Sequence, residues 1–361
     1  MKQIITSESV NIGHPDKTCD TIADAILDEA LRQDSKSQMA LECAIKNDKL
    51  FIYGEVTTKA EIDYEKIAKE TLKDIGYENE FTVVKEISRQ SPDINQAVEK
   101  EELMANDQGM VYGYASNETK EYMPLPIIVA HKLMKVYDDY RRTTDCYYAD
   151  AKSQVSVCYE NGKPESIETI LLSVSHSEKL DSETIFNDIK KNVVDIVMKE
   201  YEYYDKGNIR YIINPSGKFT IWGSFGDSGC VGRKIVVDTY GGVGRVGGGC
   251  FSSKNATKID RSAAYYARYV AKNIVANGFA DKCEIQASYA IGLADPVSLY
   301  IDTFGTNKVS YDEINDYVNN NFSFRLQNII DELDLLRPIY KETACFGHFG
   351  RDGFPWEKIK N

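Results

Sequence analysis

Apolar positions along the chain follow two alternating patterns. Over 17–32, 123–142 and 261–277 they recur every three to four residues, the period of a helix with one buried stripe. Cys19, Ile22, Ala23, Ile26, Leu27 and Ala30 make the first stripe. Ala263, Ala267, Val270, Ala271 and Ile274 make the third, with Gly278 as a suitable C-terminal stop. Two short runs of strand-forming residues follow each helix: 39–46 with 50–58, 154–159 with 166–175, and 284–291 with 297–304. Asn47-Asp48 and Asn161-Gly162 join the first two pairs, and Asp295-Pro296 joins the third. A further helix is predicted after each pair, at 61–75, 182–204 and 310–321, the last opened by a Ser310…Glu313 capping box. The order helix, hairpin, helix thus occurs three times. It predicts an α+β fold of three pseudo-symmetric domains, each a β-sheet covered by helices on one face. The expected domains are 1–100, 101–220 and 221–361, with terminal segments exchanged between them. Three stretches fall outside the repeat: 90–107, placed where a lid would sit, 213–232, and a glycine-rich run over 241–261.

Composition narrows the class. An apolar fraction of 42% and a charged fraction of 27% over 361 residues describe an ordinary globular protein with room for full cores. A net charge of −13 provides no global basic field, so nucleic acid is not an expected partner. An anionic ligand must therefore meet a local cluster of cations. The eight cysteines stand singly, without a Cys-x-x-Cys pair, as in a cytoplasmic protein with reduced thiols. The first residues lack the apolar core of a signal peptide, and no apolar run approaches the ~18 residues of a membrane span.

Two motifs carry candidate chemistry. Gly242-Val-Gly-Arg-Val-Gly247 spells GxGxxG after a strand-like 234–239. No helix follows it directly and no βαβ alternation surrounds it, so a dinucleotide fold is disfavoured; a P-loop signature is absent. The run reads either as a flexible loop or as a phosphate-binding segment. Arg233, Lys234, Lys254, Lys258 and Arg261, flanking it on both sides, favour the second. Gly13-His14-Pro15-Asp16-Lys17 precedes the first helix. Pro15 and Asp16 suit a helix start, a sufficient reading by itself. Lys17 opposes the helix dipole, however, and Asp16 also suits an oxygen-liganded Mg²⁺ beside phosphates. Four histidines in the whole chain exclude a histidine-rich metal site. Alternation places Met39, Leu41, Cys43 and Ile45 on one strand face and Glu42 on the other, ordinarily a solvated face. Phe219 reads as a core residue or as a stacking platform for a base.

Taken in order, these motifs resemble the S-adenosylmethionine synthetase (methionine adenosyltransferase) family over nearly the whole chain. The matching segments are Ser7-Glu-Ser-Val, Gly13-His-Pro-Asp-Lys, Gly54-Glu-Val-Thr-Thr, Gln90-Ser-Pro-Asp-Ile-Asn-Gln, Asp107-Gln-Gly, Asp150-Ala-Lys-Ser-Gln-Val, the run from Gly232 to Gly242, Asp260-Arg-Ser-Ala-Ala and Gly347-His-Phe-Gly-Arg. The resemblance implies that methionine sulfur attacks C5′ of ATP, that the whole triphosphate leaves, and that it is cleaved to pyrophosphate and phosphate. It implies catalytic positions at His14, Lys152, Arg233 and Lys254. Asp150, Lys218, Phe219, Asp227, Lys234 and Cys250 would join them around ATP. Glu55, Gln90, Asp107, Asp227 and Lys258 would serve methionine, Asp16 and Asp260 two Mg²⁺ ions, and Glu42 a K⁺ ion. It further implies a homodimer with active sites at the interface, the two ends of the chain meeting across it, and a dimer of dimers. Rival readings are a homologue keeping only triphosphatase activity and a non-catalytic partner subunit. The sequence departs from the family pattern at Cys250, where alanine is usual, at Ser253, where glycine is usual, and at Lys218, where arginine is usual. The stretch before Gln90 and the lid region are shortened.

Overall fold

The structure, a computed structural model, describes residues 2–89 and 103–360. Three antiparallel hairpins set the frame: β2 (Gln38–Lys46) with β3 (Lys49–Thr57), β6 (Tyr147–Glu160) with β7 (Lys163–His176), and β10 (Lys282–Tyr289) with β11 (Ser298–Asp302). At the second turn Asn161 and Gly162 take φ of 54° and 78°, the left-handed pair that a two-residue hairpin needs. The third connection is a longer loop over 290–297, not a tight turn.

Each hairpin recruits strands from elsewhere. The sheet orders are β4 (Thr82–Ser88)-β3-β2-β9 (Gly229–Cys230), β1 (Lys2–Val10)-β6-β7-β8 (Arg210–Ile213), and β11-β10-β5 (Gly109–Ser116). One helix covers the inner face of each: α1 (Pro15–Gln33) on β2, α3 (Leu125–Arg141) on β6 and β1, and α6 (Ile259–Ala276) on β5 and β10. α2 (Tyr64–Ile75), α4 (Ser182–Ile189) and α7 (Tyr311–Asn321) follow the three hairpins, and Ser310 and Glu313 form the expected capping box. The α+β architecture and its threefold repeat match the sequence reading. Met39, Leu41, Cys43 and Ile45 are all buried on the inner face of β2.

Two expectations need correction. The strand read over 234–239 is a single helical turn, α5 (Ile235–Asp238). Its β-branched run favours a strand locally, but tertiary ties decide: Asp238 pairs with Lys17, and its carbonyl accepts the His348 N–H at 2.9 Å. The helix read over 182–204 is interrupted by a π-turn at Lys190–Val194 and regains helix only over Asp195–Met198.

α1 is buried on both sides. Its apolar stripe faces β2, while Asp16, Asp20, Asp24 and Asp28, spaced four apart and therefore one above another, form a second buried stripe. Each accepts backbone N–H groups from far along the chain, between residues 230 and 341. Asp16 holds Cys230 (3.0 Å), Asp20 holds Gly232 (2.9 Å) and Asp24 holds Ser253 (2.7 Å). Asp28 holds both Tyr340 and Lys341 at 2.9 Å. Buried donors in irregular loops must be satisfied, and this helix supplies the acceptors.

Candidate active site

The N-terminus of α1 assembles the first group of candidate residues. Pro15 occupies the opening helical position and His14 is the N-cap, its Nδ1 accepting the Asp16 N–H at 3.2 Å. The helix-start reading of this motif is therefore correct, and it coexists with a charged cluster. Asp16, only 1% exposed, pairs through Oδ2 with Lys234 Nζ at 2.8 Å, and Arg233 Nε lies 3.6 Å from Oδ1. A Cβ on Gly229 would collide with the Pro15 carbonyl, so only glycine lets this strand approach. Burial, then the Lys234 and Lys152 cations, push the His14 imidazole down to about 3. His14 is neutral, and because Nδ1 accepts, Nε2 carries the proton. Burial pushes the Asp16 carboxyl up, but Lys234 and the Cys230 N–H outweigh it and leave it below the usual range.

Beside this cluster lies a recess of about 290 Å³ lined by His14, Pro15, Asp150, Lys152, Phe219, Ile221, Gly226 and Asp227. Larger surface recesses of about 660 and 570 Å³ contain none of the expected residues. Lys152 stands on the exposed face of β6 and Phe219 is half-buried. Asp150 is 5% exposed; Oδ2 accepts the Gly223 N–H at 3.0 Å, and Oδ1 is buried without a hydrogen-bond partner among the described residues. Burial raises its carboxyl to about 6.

The second group surrounds the end of the glycine run. Lys254 Nζ lies 2.5 Å from Asp260 Oδ2, and Oδ1 accepts the Gly249 N–H at 2.9 Å. A Cβ on Gly249 would sit 2.6 Å from Lys254 Nζ, so a side chain there would displace the lysine tip from its place beside Asp260. Lys258, the N-cap residue of α6, is half-buried. Burial and then Lys254 lower its pKa, opposed by Glu55, Asp107 and Asp260. Glu42 is half-buried, raised in pKa by burial, and has no side-chain hydrogen bond or ion pair among the described residues. Cys250 fits because Gly232, at φ 74°, has no side chain to oppose it; burial pushes its thiol up to about 11. Glu42 and Glu55 share the outward face of the β2–β3 hairpin with Phe51 and Tyr53.

Other cations near these motifs have different occupations. Arg261 is wholly buried against Asp24, with Nη1–Oδ1 at 2.7 Å and Nη2–Oδ2 at 2.8 Å, and is unavailable to a phosphate. Lys17 is buried between Asp20 and Asp238, which removes its apparent conflict with the helix dipole. Arg245 is held by Glu284 at 2.7 Å. Lys218 is exposed and does not line the recess, and Gln90 lies outside the described residues, with most of the expected lid. The two motifs therefore belong to two groups of charged residues. The His14 motif meets 230–234 directly, whereas Lys254 and Asp260 form a second group; the two segments touch where Gly232 backs Cys250, but no hydrogen bond or ion pair joins their charged side chains among the described residues. Sequence reasoning missed Asp20 and Asp24. Their i+4 spacing was visible, but such spacing also describes a solvated helix face.

Comparison with known proteins identifies the family. The N-terminal, central and C-terminal domains of S-adenosylmethionine synthetase match residues 2–102, 102–219 and 221–358 in turn. An S-adenosylmethionine synthase of Mesoplasma florum is 47% identical, covering 99% of this chain and 98% of that protein. One of Clostridium botulinum is 48% identical, covering 99% and 97%. Three consecutive domain matches and relatives similar from end to end lead to one assignment: the chain belongs to the S-adenosylmethionine synthetase family.

Proposed function

We propose that this protein makes S-adenosylmethionine from L-methionine and ATP and cleaves the released triphosphate to pyrophosphate and phosphate. The observation that carries this reading is the meeting of Lys152 and Lys234 with neutral His14, and of Arg233 and Lys234 with Asp16, beside a recess that His14, Lys152 and Phe219 line. A thioether attacking C5′ has no proton to lose, so no general base is required. Its leaving group gains negative charge, and what the reaction needs is alignment and preorganised positive donors. His14 offers an Nε2–H donor, Lys152 and Lys234 offer ammonium groups, and Arg233 a planar fork. Phe219 presents a ring for adenine.

Metal fits the donor set as far as it goes. Among the described residues no three acidic, histidine or cysteine side chains form a ready-made cage. Asp16 and Asp260 each offer one carboxylate beside phosphate-binding cations, which suits Mg²⁺, an ion held by one or two carboxylates together with substrate phosphates. When bound, it would neutralise charge on the triphosphate. Glu42, half-buried and without a hydrogen bond or ion pair among the described residues, suits K⁺.

The separation of the two groups supports a homodimer in which the first group of one protomer faces the second group of its partner. A two-fold axis would then make two equal sites. Exposed Phe51 (41%), Tyr53 (37%) and Val84 (44%), on the same outward face as Glu42 and Glu55, supply apolar area for that contact. No helix of the described residues is long and apolar enough to cross a membrane.

The test is to incubate the purified protein with ATP, methionine, Mg²⁺ and K⁺ and to quantify sulfonium product, phosphate and pyrophosphate. All three are expected. Inorganic triphosphate is supplied in a parallel reaction: its cleavage without sulfonium product from ATP would leave only a triphosphatase, and neither reaction would leave a non-catalytic subunit.

A further inference from the structure

His176 is one of four histidines, belongs to neither candidate group, and does not line the recess. It is nonetheless tied to the strap that carries Phe219. After β8 ends at Ile213, the chain runs along the edge of β7. Asn214, at φ 44°, donates its N–H to the Leu172 carbonyl at 2.9 Å. Its side-chain Oδ1 accepts the Val174 N–H at 2.8 Å and its Nδ2 donates to the Val174 carbonyl at 2.9 Å. The amide side chain thus replaces a strand residue. Two residues further along β7, His176 takes over. Its N–H donates to the Phe219 carbonyl at 2.9 Å, and the Phe219 N–H donates to His176 Nε2 at 3.1 Å. One residue therefore holds both main-chain groups of Phe219. The other ring nitrogen, Nδ1, lies 2.9 Å from the Ser177 carbonyl oxygen, which can only accept. Nδ1 therefore bears the proton and Nε2 presents the lone pair that the Phe219 N–H requires. His176 is 2% exposed, while Pro215, Ser216 and Lys218 on the strap are solvent-exposed or half-exposed.

We propose that His176 is a positioning residue for the nucleotide: it fixes the Phe219 ring at the recess by gripping Phe219's main chain, without touching the ligand. This rests on the reading of Phe219 as the adenine platform. Loss of the grip leaves the Phe219 N–H without its acceptor and the ring free to leave its stacking position, a penalty read in ATP binding and not in chemistry.

The experiment is steady-state kinetics on the full-length protein with His176→Ala, His176→Gln, Phe219→Ala and the double variant His176→Ala/Phe219→Ala, each checked by thermal midpoint. Phe219→Ala and His176→Ala are each expected to raise KM for ATP roughly tenfold, with kcat and KM for methionine within about twofold. His176→Gln, whose amide oxygen can accept the same N–H, is expected to recover most of the loss. In the Phe219→Ala background, His176→Ala is expected to add less than about twofold. A normal KM in Phe219→Ala would overturn the platform reading and the proposal with it. A raised KM in Phe219→Ala with a normal one in His176→Ala would overturn the positioning role alone, as would fully additive effects. If His176→Ala is too unstable to assay, His176→Leu, which fills the space but offers no acceptor, takes its place: a raised KM for ATP beside a normal one in His176→Gln supports the grip, and a normal KM in His176→Leu overturns it.

Discussion

Ser253 sits at φ 70°, 2% exposed, with its N–H committed to Asp24 at 2.7 Å. A left-handed conformation costs an L-residue about 1–2 kcal/mol, partly offset because glycine loses more chain entropy on folding. Ser253→Gly is therefore expected to stabilise the protein by about 0.5–1 kcal/mol, seen as a rise in thermal midpoint; an unchanged or lower midpoint would show that the strain is absorbed elsewhere. The departure from glycine was legible in the sequence, and so was its conformational penalty. Other single residues were not legible in this way. Arg261 and Lys17 have the composition of phosphate ligands, yet both neutralise buried aspartates. A cation near a glycine run reveals its charge, but its direction is set by a partner more than 200 positions away for Arg261. The helix start at His14 and Pro15 was readable because capping is local.

The elements show the same division. Helix periodicity, strand alternation and the Asn-Gly turn are encoded over a few residues, and the three hairpins appear where they were read. The second face of α1 was not readable, since carboxylates spaced four apart look alike whether they face water or backbone amides. Its energetic weight is testable. Asp24 holds the fully buried Arg261 through two bonds and the Ser253 N–H through a third. Asp24→Ala leaves an uncompensated buried cation and is expected to destabilise by about 3–5 kcal/mol in urea unfolding followed by circular dichroism. Adding Arg261→Met removes that cation and is expected to restore a large part of the loss. A shift under about 1 kcal/mol for the single variant would mean that water reaches Arg261 and that the stripe is peripheral.

At the scale of the whole molecule, acid sensitivity follows from burial. Burial, then Arg351 and Lys17, hold His131 at about 3, and burial likewise keeps His348 well below its ordinary value. Both stay neutral in the native protein while the unfolded chain takes up protons below about 6.5, so their contribution is fully present above that pH and is lost as pH falls toward 3. Asp28, raised to about 6 by burial, acts in the opposite sense between about 4 and 6. The clean comparison is His131→Asn, which keeps a partner for Ser9 and removes one titration: its thermal midpoint should fall less steeply than that of the unaltered protein between pH 6.5 and 4. Parallel slopes would show that His131 is hydrated. The dimer reading gives a second test. Phe51→Glu, on an exposed position, is expected to keep the fold, sediment as a monomer and lose activity; an active dimer would place the contact elsewhere. The sheet orders also carry a consequence for biosynthesis. β2 and β3 emerge early from the ribosome, but their fourth strand, β9, lies at 229–230, and the last backbone donors for α1 lie at 340–341. During vectorial translation the acidic stripe therefore waits, unsatisfied and hydrated, until segments about 200–310 residues further on have emerged, and a nascent chain stalled near residue 220 should be open to proteases along α1.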